Sequence, residues 1–105
     1  MRIALVTDAW LPQVNGVVRT LTATTGELTR RGHTVAVISP EQFRTVACPT
    51  YPEIRLAMVR ARTIGERLED FAPDAVHIAT EGPLGRAARV HCVKVGRPFT
   101  TAFHT

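Results

Sequence analysis

A chain of 105 residues that is 45% hydrophobic and 21% charged holds enough apolar material for one packed domain, or a part of one, which excludes a disordered segment. Thirteen Lys and Arg against nine Asp and Glu give a net charge of +4 and a pI near 10.0, which suits an anionic partner: nucleic acid, phosphorylated substrate and acidic membrane all qualify. Cys48 and Cys92 have neither metal-ligand spacing nor the density of a secreted scaffold, so reduced thiols in a cytoplasmic protein are expected. The apolar run after Met1-Arg2 is too short for a signal peptide, and no stretch approaches the roughly 20 apolar residues of a spanning helix, so any membrane contact is expected to be peripheral.

The apolar run Ile3-Ala4-Leu5-Val6 has the length and composition of a strand covered on both faces, as in a parallel sheet, and it ends at Thr7-Asp8. Asn15-Gly16 then offers a helix N-cap, with Val17, Leu21 and Leu28 on one face and Gly32 as the stop after Arg30-Arg31. Thr34 to Ile38 is a second buried strand closed by Ser39-Pro40, which completes a βαβ unit. Periodicity fades from Glu41 to Pro52, a surface excursion. Ile54 to Met58 is expected to be a short third strand near an edge.

Arg62 to Phe71 carries Ile64, Leu68 and Phe71 at helical spacing and is stopped by Pro73. A fourth strand covers Asp74 to Ile78. Thr80-Glu81-Gly82-Pro83 opens a helix, with Pro in the first turn, that runs to about Val95 and stops at Gly96. Phe99 to Phe103 is the last strand and leads to His104-Thr105. The pattern predicts an open α/β sheet in which ligands gather at the carboxyl ends of the strands.

On that rim the Asn15-Gly16 helix entry fits either a diphosphate cradle or an ordinary cap, since a helix N-terminus presents unpaired N–H groups and positive dipole. A dinucleotide fold is disfavoured: no G-x-G-x-x-G follows the first strand, and Ser39-Pro40 stands where a ribose-binding acid is expected. No P-loop motif occurs either. His104, just beyond a strand's carboxyl end, is the strongest single polar candidate. Asp8 and Glu81 fit a carboxylate pair for acid–base work, or, more simply, caps on backbone amides. His33 fits a turn, His77 the core and His91 a helix, and none pairs at metal-ligand spacing. Arg86, Arg89, Lys94 and Arg97 form a solvated basic face or, in the sharper reading, a patch for acidic lipid.

Four ordered segments, residues 8–18, 31–35, 81–85 and 99–105, together resemble the glycosyltransferase family 4 enzymes, and especially its GDP-mannose-dependent α-mannosyltransferases and sulfoquinovosyl-lipid synthases. The resemblance covers essentially the whole chain. It implies α/β architecture, a Rossmann-like open parallel sheet with helices on both faces, forming the amino-terminal, acceptor-side half of a GT-B fold whose donor-binding domain is absent. It further implies a retaining hexosyl transfer, with mannose from GDP-mannose as the expected donor sugar, onto a lipid-linked or glycan acceptor, as in glycolipid biosynthesis.

Carried over by motif, the Gly16 amide, with Asn15, would hold the donor diphosphate, and His104 would contact the transferred sugar. Asp8 and Glu81 would line the acceptor side of the cleft. No metal and no cofactor beyond the nucleotide sugar is expected, nor is nucleic acid a partner. The expected location is the cytoplasm, with possible peripheral contact at an anionic membrane. One departure is Asn15 before Gly16, where many members have two adjacent glycines. The alternative from another class is a non-catalytic nucleotide- or anion-binding α/β module.

Overall fold

The computed structural model describes residues 1–8, 16–43, 45–47, 55–57, 60–80 and 82–101. Of the expected site residues, Asp8 and Gly16 are described, whereas Asn15, Glu81 and His104 lie outside the described residues.

A four-stranded parallel sheet runs in the order β2, β1, β5, β6, formed by Thr34–Ile38, Arg2–Val6, Ala75–Ile78 and Thr100–Thr101. Register is continuous across its centre: Val6 lies opposite Ile38 on one side and Ile78 on the other. Strand alternation divides the core into two layers. Ala4, Val6, Ile38, Val76 and Ile78 form one buried cluster with Ile64 and Leu68 of α2 (Ala61–Phe71) and Leu84, Ala87, Ala88 and Cys92 of α3 (Pro83–Val95). Leu5 points the other way and packs with Ala79, with Val35 and Val37, and with Leu21 of α1 (Gly16–Arg30). Fully burying a side chain such as Ile64, Leu68 or Leu84 contributes about 1.5–3 kcal/mol, so the α2/α3 layer is the stronger half of the core. Helices therefore cover both faces of a Rossmann-like sheet.

The sequence expectations hold for both long parallel strands and all three helices, with local corrections. Val18 joins Leu21 on the buried face of α1. The excursion after Ser39 contains a short 3₁₀ turn, Pro40–Gln42, and a strand, β3 (Thr45–Ala47). The strand expected at Ile54 to Met58 is described as β4 (Arg55–Ala57); it pairs antiparallel with β3, Val46 opposite Leu56, in a separate two-stranded ribbon and not at the edge of the main sheet. His77, expected in the core, is only half-buried, and its Nδ1 lies 2.7 Å from Thr100 Oγ1.

Helix ends follow the local chemistry. Gly96 stops α3 in the left-handed region at φ 71, and Arg97 N–H closes back onto the Cys92 carbonyl at 2.8 Å. Ala72 takes the same role after α2 at φ 53, where an alanine is strained, and Pro73 prevents continuation. α2 and α3 are tied by Glu69, which accepts from Arg97 Nη2 at 2.8 Å and lies 3.1 Å from His91 Nε2. The His91 hydrogen bond, then that of Arg97, holds the Glu69 carboxyl below its usual range. Burial pushes the Cys92 thiol up, which leaves it a packing residue and not a nucleophile.

Candidate functional site

Strand order places a topological switch point between β1 and β5. The chain leaves β1 through α1 to reach β2 on one side, and β5 lies on the other. In open α/β sheets the crevice beyond the carboxyl ends of two such strands is where ligands bind. Here the crevice is framed by Thr7-Asp8 after β1 and Ala79-Thr80 after β5. Both exits are pinned: Thr7 N–H donates to Ile38 O at 3.0 Å, and Ala79 N–H donates to Val6 O at 2.8 Å.

Asp8 organises this rim. Its amide donates to Thr80 Oγ1 at 2.6 Å, and the Thr80 hydroxyl donates to Asp8 Oδ2 at 2.6 Å. The same carboxylate accepts from the first turn of α3, Leu84 N–H to Oδ1 at 2.7 Å and Gly85 N–H to Oδ2 at 3.3 Å. Asp8 thus caps a helix that begins about seventy residues later, while the local N-cap, Gly82, has no side chain to offer. The acceptor oxygens are committed to these donors, which makes Asp8 the residue that fixes the Thr80 to Gly85 turn in place.

Two glycines make that cap possible. A Cβ on Gly82 would sit 2.5 Å from Asp8 Cγ. A Cβ on Gly85 would lie 2.9 Å from the Thr80 carbonyl carbon and closer still to its oxygen. The Gly82-Pro83-Leu84-Gly85 spacing is therefore a packing requirement of the rim, a meaning that the sequence reading did not draw from it.

Asp8→Ala removes the acceptor for two amides of α3 and for the Thr80 hydroxyl. Lost caps cost about 0.5–2 kcal/mol, and hydrogen bonds to a charged group about 1.5–3 kcal/mol, so a net loss of about 2–3 kcal/mol is expected. For a domain of this size that lowers the melting temperature by on the order of 10 °C, with Asp8→Asn losing less because one oxygen still accepts. Calorimetric melting of the two variants checks it, and an Asp8→Ala protein melting like the parent would contradict the cap.

The second feature is the start of α1. Because β1 and β2 are parallel, α1 must return across the sheet, which puts its N-terminus on the same carboxyl edge. Gly16 is exposed there, and an added Cβ would meet nothing within 4 Å among the described residues. Its φ is not in the left-handed region, which Gly32 and Gly96 occupy instead. Among the described residues, neither backbone strain nor protein contact requires a glycine at position 16. The first turn of α1 carries no acidic residue, and exposed Arg19 follows Gly16 by one turn. A helix start presents first-turn amides and positive dipole, and here Arg19 lies one turn along. Nothing in the local sequence marks Arg19, which falls outside the apolar face of the helix.

Among the described residues no group of three His, Cys, Asp or Glu is placed to hold a metal. A groove of about 650 Å³ lies between α2 and α3 and is walled by residues such as Gly65, Glu69 and His91; it touches neither Asp8 nor Gly16. Size alone does not mark the functional rim.

Residues 14–105 match the family model described as Glycosyltransferase Family 4. The chain belongs to glycosyltransferase family 4. It is similar to a GDP-mannose-dependent alpha-mannosyltransferase of Mycolicibacterium smegmatis, at 32% identity over 123 aligned positions, covering 100% of this chain and 32% of that protein. Proteins of the same name from Mycobacterium tuberculosis and Corynebacterium glutamicum are 26% and 27% identical, again over 100% of this chain, and over 32% and 29% of their own lengths. The chain spans about a third of the length of these curated relatives. No solved structure matches it. Glycosyltransferase family 4 membership and the parallel sheet agree with the amino-terminal half of a GT-B enzyme.

Proposed function

We propose that this chain is the acceptor-side, amino-terminal domain of a two-domain retaining glycosyltransferase, which moves a hexose, mannose first among candidates, from a nucleoside-diphosphate sugar to a lipid-linked or glycan acceptor. The observation that carries the reading is the start of α1 on the carboxyl edge beside the switch point, where no described atom lies within 4 Å of an added Gly16 Cβ, in a chain of this family. The names of the relatives favour GDP-mannose as donor.

In this reading Asn15 and the Gly16 amide hold the donor diphosphate, with Arg19 adding charge from one turn along. A diphosphate oxygen occupies the space that a Cβ at position 16 would take. His104 contacts the transferred sugar. Asp8, as the positioning residue, holds the turn that carries Glu81 toward the acceptor. The bond from the sugar's anomeric carbon to the diphosphate breaks, the acceptor oxygen bonds that carbon on the same face, and its proton passes to the departing phosphate. Positioned amides and the α1 dipole stabilise the charge that develops there. The chemistry runs without a metal ion or a cofactor besides the sugar nucleotide. Among the described residues no helix is long and apolar enough to cross a membrane, and the reading places the enzyme in the cytoplasm, with exposed basic positions of α3 facing anionic lipid.

His104→Ala in the full-length protein tests the assignment. Removing one positioned donor at a reacting centre costs on the order of a hundredfold in turnover. Unchanged transfer with unchanged melting would remove His104 from the mechanism, and absence of transfer from any sugar nucleotide in the parent protein would favour a non-catalytic binding module.

A further inference from the structure

Most arginines whose side chains are described have partners. Arg30 and Arg31 pair with Glu27, Arg62 with Glu66 and Arg97 with Glu69. Arg2 donates to Phe71 O and stacks on the Phe71 ring, while Arg67 reaches Gln42 Oε1 and lies over Phe43. Of the described arginines without such a partner, Arg86 and Arg89 are the two that share a cavity. They stand one turn apart on α3, both exposed, with no side-chain hydrogen bond or ion pair among the described residues. Like charges at this spacing repel each other. Arg86 also sits at the end of the first turn, where the macrodipole is positive and disfavours cations. For folding alone the arrangement is unfavourable on both counts.

The two side chains wall a cavity of about 130 Å³ completed by Ile78, Thr80, Gly85 and Thr101, at the carboxyl ends of β5 and β6. At about 30 Å³ per water in the liquid, this holds on the order of four waters, the scale of one phosphate group. Thr80 and Gly85 are also the residues that bond Asp8, so the cavity adjoins the organised rim. The carboxylate of Asp8 already takes the amides of Leu84 and Gly85, which leaves the two guanidiniums to bind an anion here. A guanidinium presents a planar fork that matches phosphate oxygens bidentately.

We propose that Arg86 and Arg89 form a subsite for a phosphate group carried by the acceptor. The subsite rests on the acceptor-side reading for its ligand's identity, but its occupancy by phosphate does not require transfer to be observed. It also gives the basic face a specific content: Arg97 leaves that face for Glu69, Lys94 borders the groove between α2 and α3, and Arg86 and Arg89 are the two at the cavity.

The test is a titration of the protein with inorganic phosphate, followed by NMR of the arginine side-chain N–H signals. Saturable shifts at Arg86 and Arg89 are expected, and Arg86→Gln or Arg89→Gln should weaken binding at least about tenfold, the scale of one charge-assisted hydrogen bond. Arg62→Gln makes the same change in net charge at an exposed, paired position and should leave the affinity within about twofold. Equal weakening by Arg62→Gln, or no selective shift at Arg86 and Arg89, overturns the subsite. Two further probes separate the sources: hexyl phosphate should compete at these signals better than GDP does, and tighter competition by GDP overturns the acceptor assignment. Selective phosphate binding in a protein that transfers no sugar would sink the transferase reading and leave the subsite standing.

Discussion

Gly85→Ala is expected to lower the melting temperature by about 8 °C or more, although helix propensity alone argues for the opposite sign. Replacing glycine by alanine inside a helix ordinarily stabilises by up to about 1 kcal/mol. At position 85 the new Cβ would lie 2.9 Å from the Thr80 carbonyl carbon and nearer its oxygen, and Ile78 Cγ2 is 3.2 Å away on another side. Thr80 has nowhere to retreat, because its hydroxyl bonds Asp8 and its neighbour Ala79 is hydrogen-bonded to Val6. Overpacking against backbone costs about 1–3 kcal/mol and sometimes more; taking the upper end and subtracting the propensity gain, a net loss of about 2 kcal/mol is expected, and each kcal/mol shifts melting by roughly 4–8 °C in a domain of this size. Thermal unfolding followed by circular dichroism measures it. A Gly85→Ala protein that melts at or above the parent would mean that the turn can shift and that Asp8 does not hold it.

Gly16→Val should separate stability from activity in the opposite way. No described atom lies within 4 Å of the added Cβ, and Val is a better helix former than Gly, so melting should stay within a few degrees of the parent. If a diphosphate approaches the α1 amides, however, the branched side chain occupies the position of its oxygens. Loss of a positioned donor to a leaving group costs about a hundredfold to a thousandfold, and a misplacement of about 1 Å has a similar effect, so turnover of the full-length enzyme should fall on the order of a thousandfold. Full activity in a stable Gly16→Val protein would return Gly16 to an ordinary helix start.

How far the sequence revealed these features depends on the range of the interactions. β1 and β2 were legible because an apolar run bounded by polar residues signals a strand buried on both faces. β3 was not, since three residues paired in a local ribbon leave no periodicity to detect. The helix stops at Gly96 and Pro73 are local and were read correctly. The Asp8 cap on Leu84 joins residues 76 apart in the chain, so no local pattern reports it; only Gly82 and Gly85, spaced to admit the carboxylate and the Thr80 carbonyl, hint at a close approach. Arg97 illustrates the same limit, because its neighbours in sequence suggested a basic face whereas its bidentate partner, Glu69, comes from α2. Asn15, Glu81 and His104 lie outside the described residues, so their roles stand on the family motifs.

The account stands or falls on transfer from a sugar nucleotide through this rim. The most direct measurement incubates the full-length protein and its Gly16→Val variant with GDP-mannose and other nucleoside-diphosphate hexoses, together with a lipid-extract acceptor, and identifies the products by mass and by anomeric configuration. The account predicts a glycoside of retained configuration from at least one donor, with GDP-mannose the best, and on the order of a thousandfold less product from a Gly16→Val protein of unchanged melting temperature. No glycoside from any donor, an inverted product, or equal yields from the two proteins would contradict it.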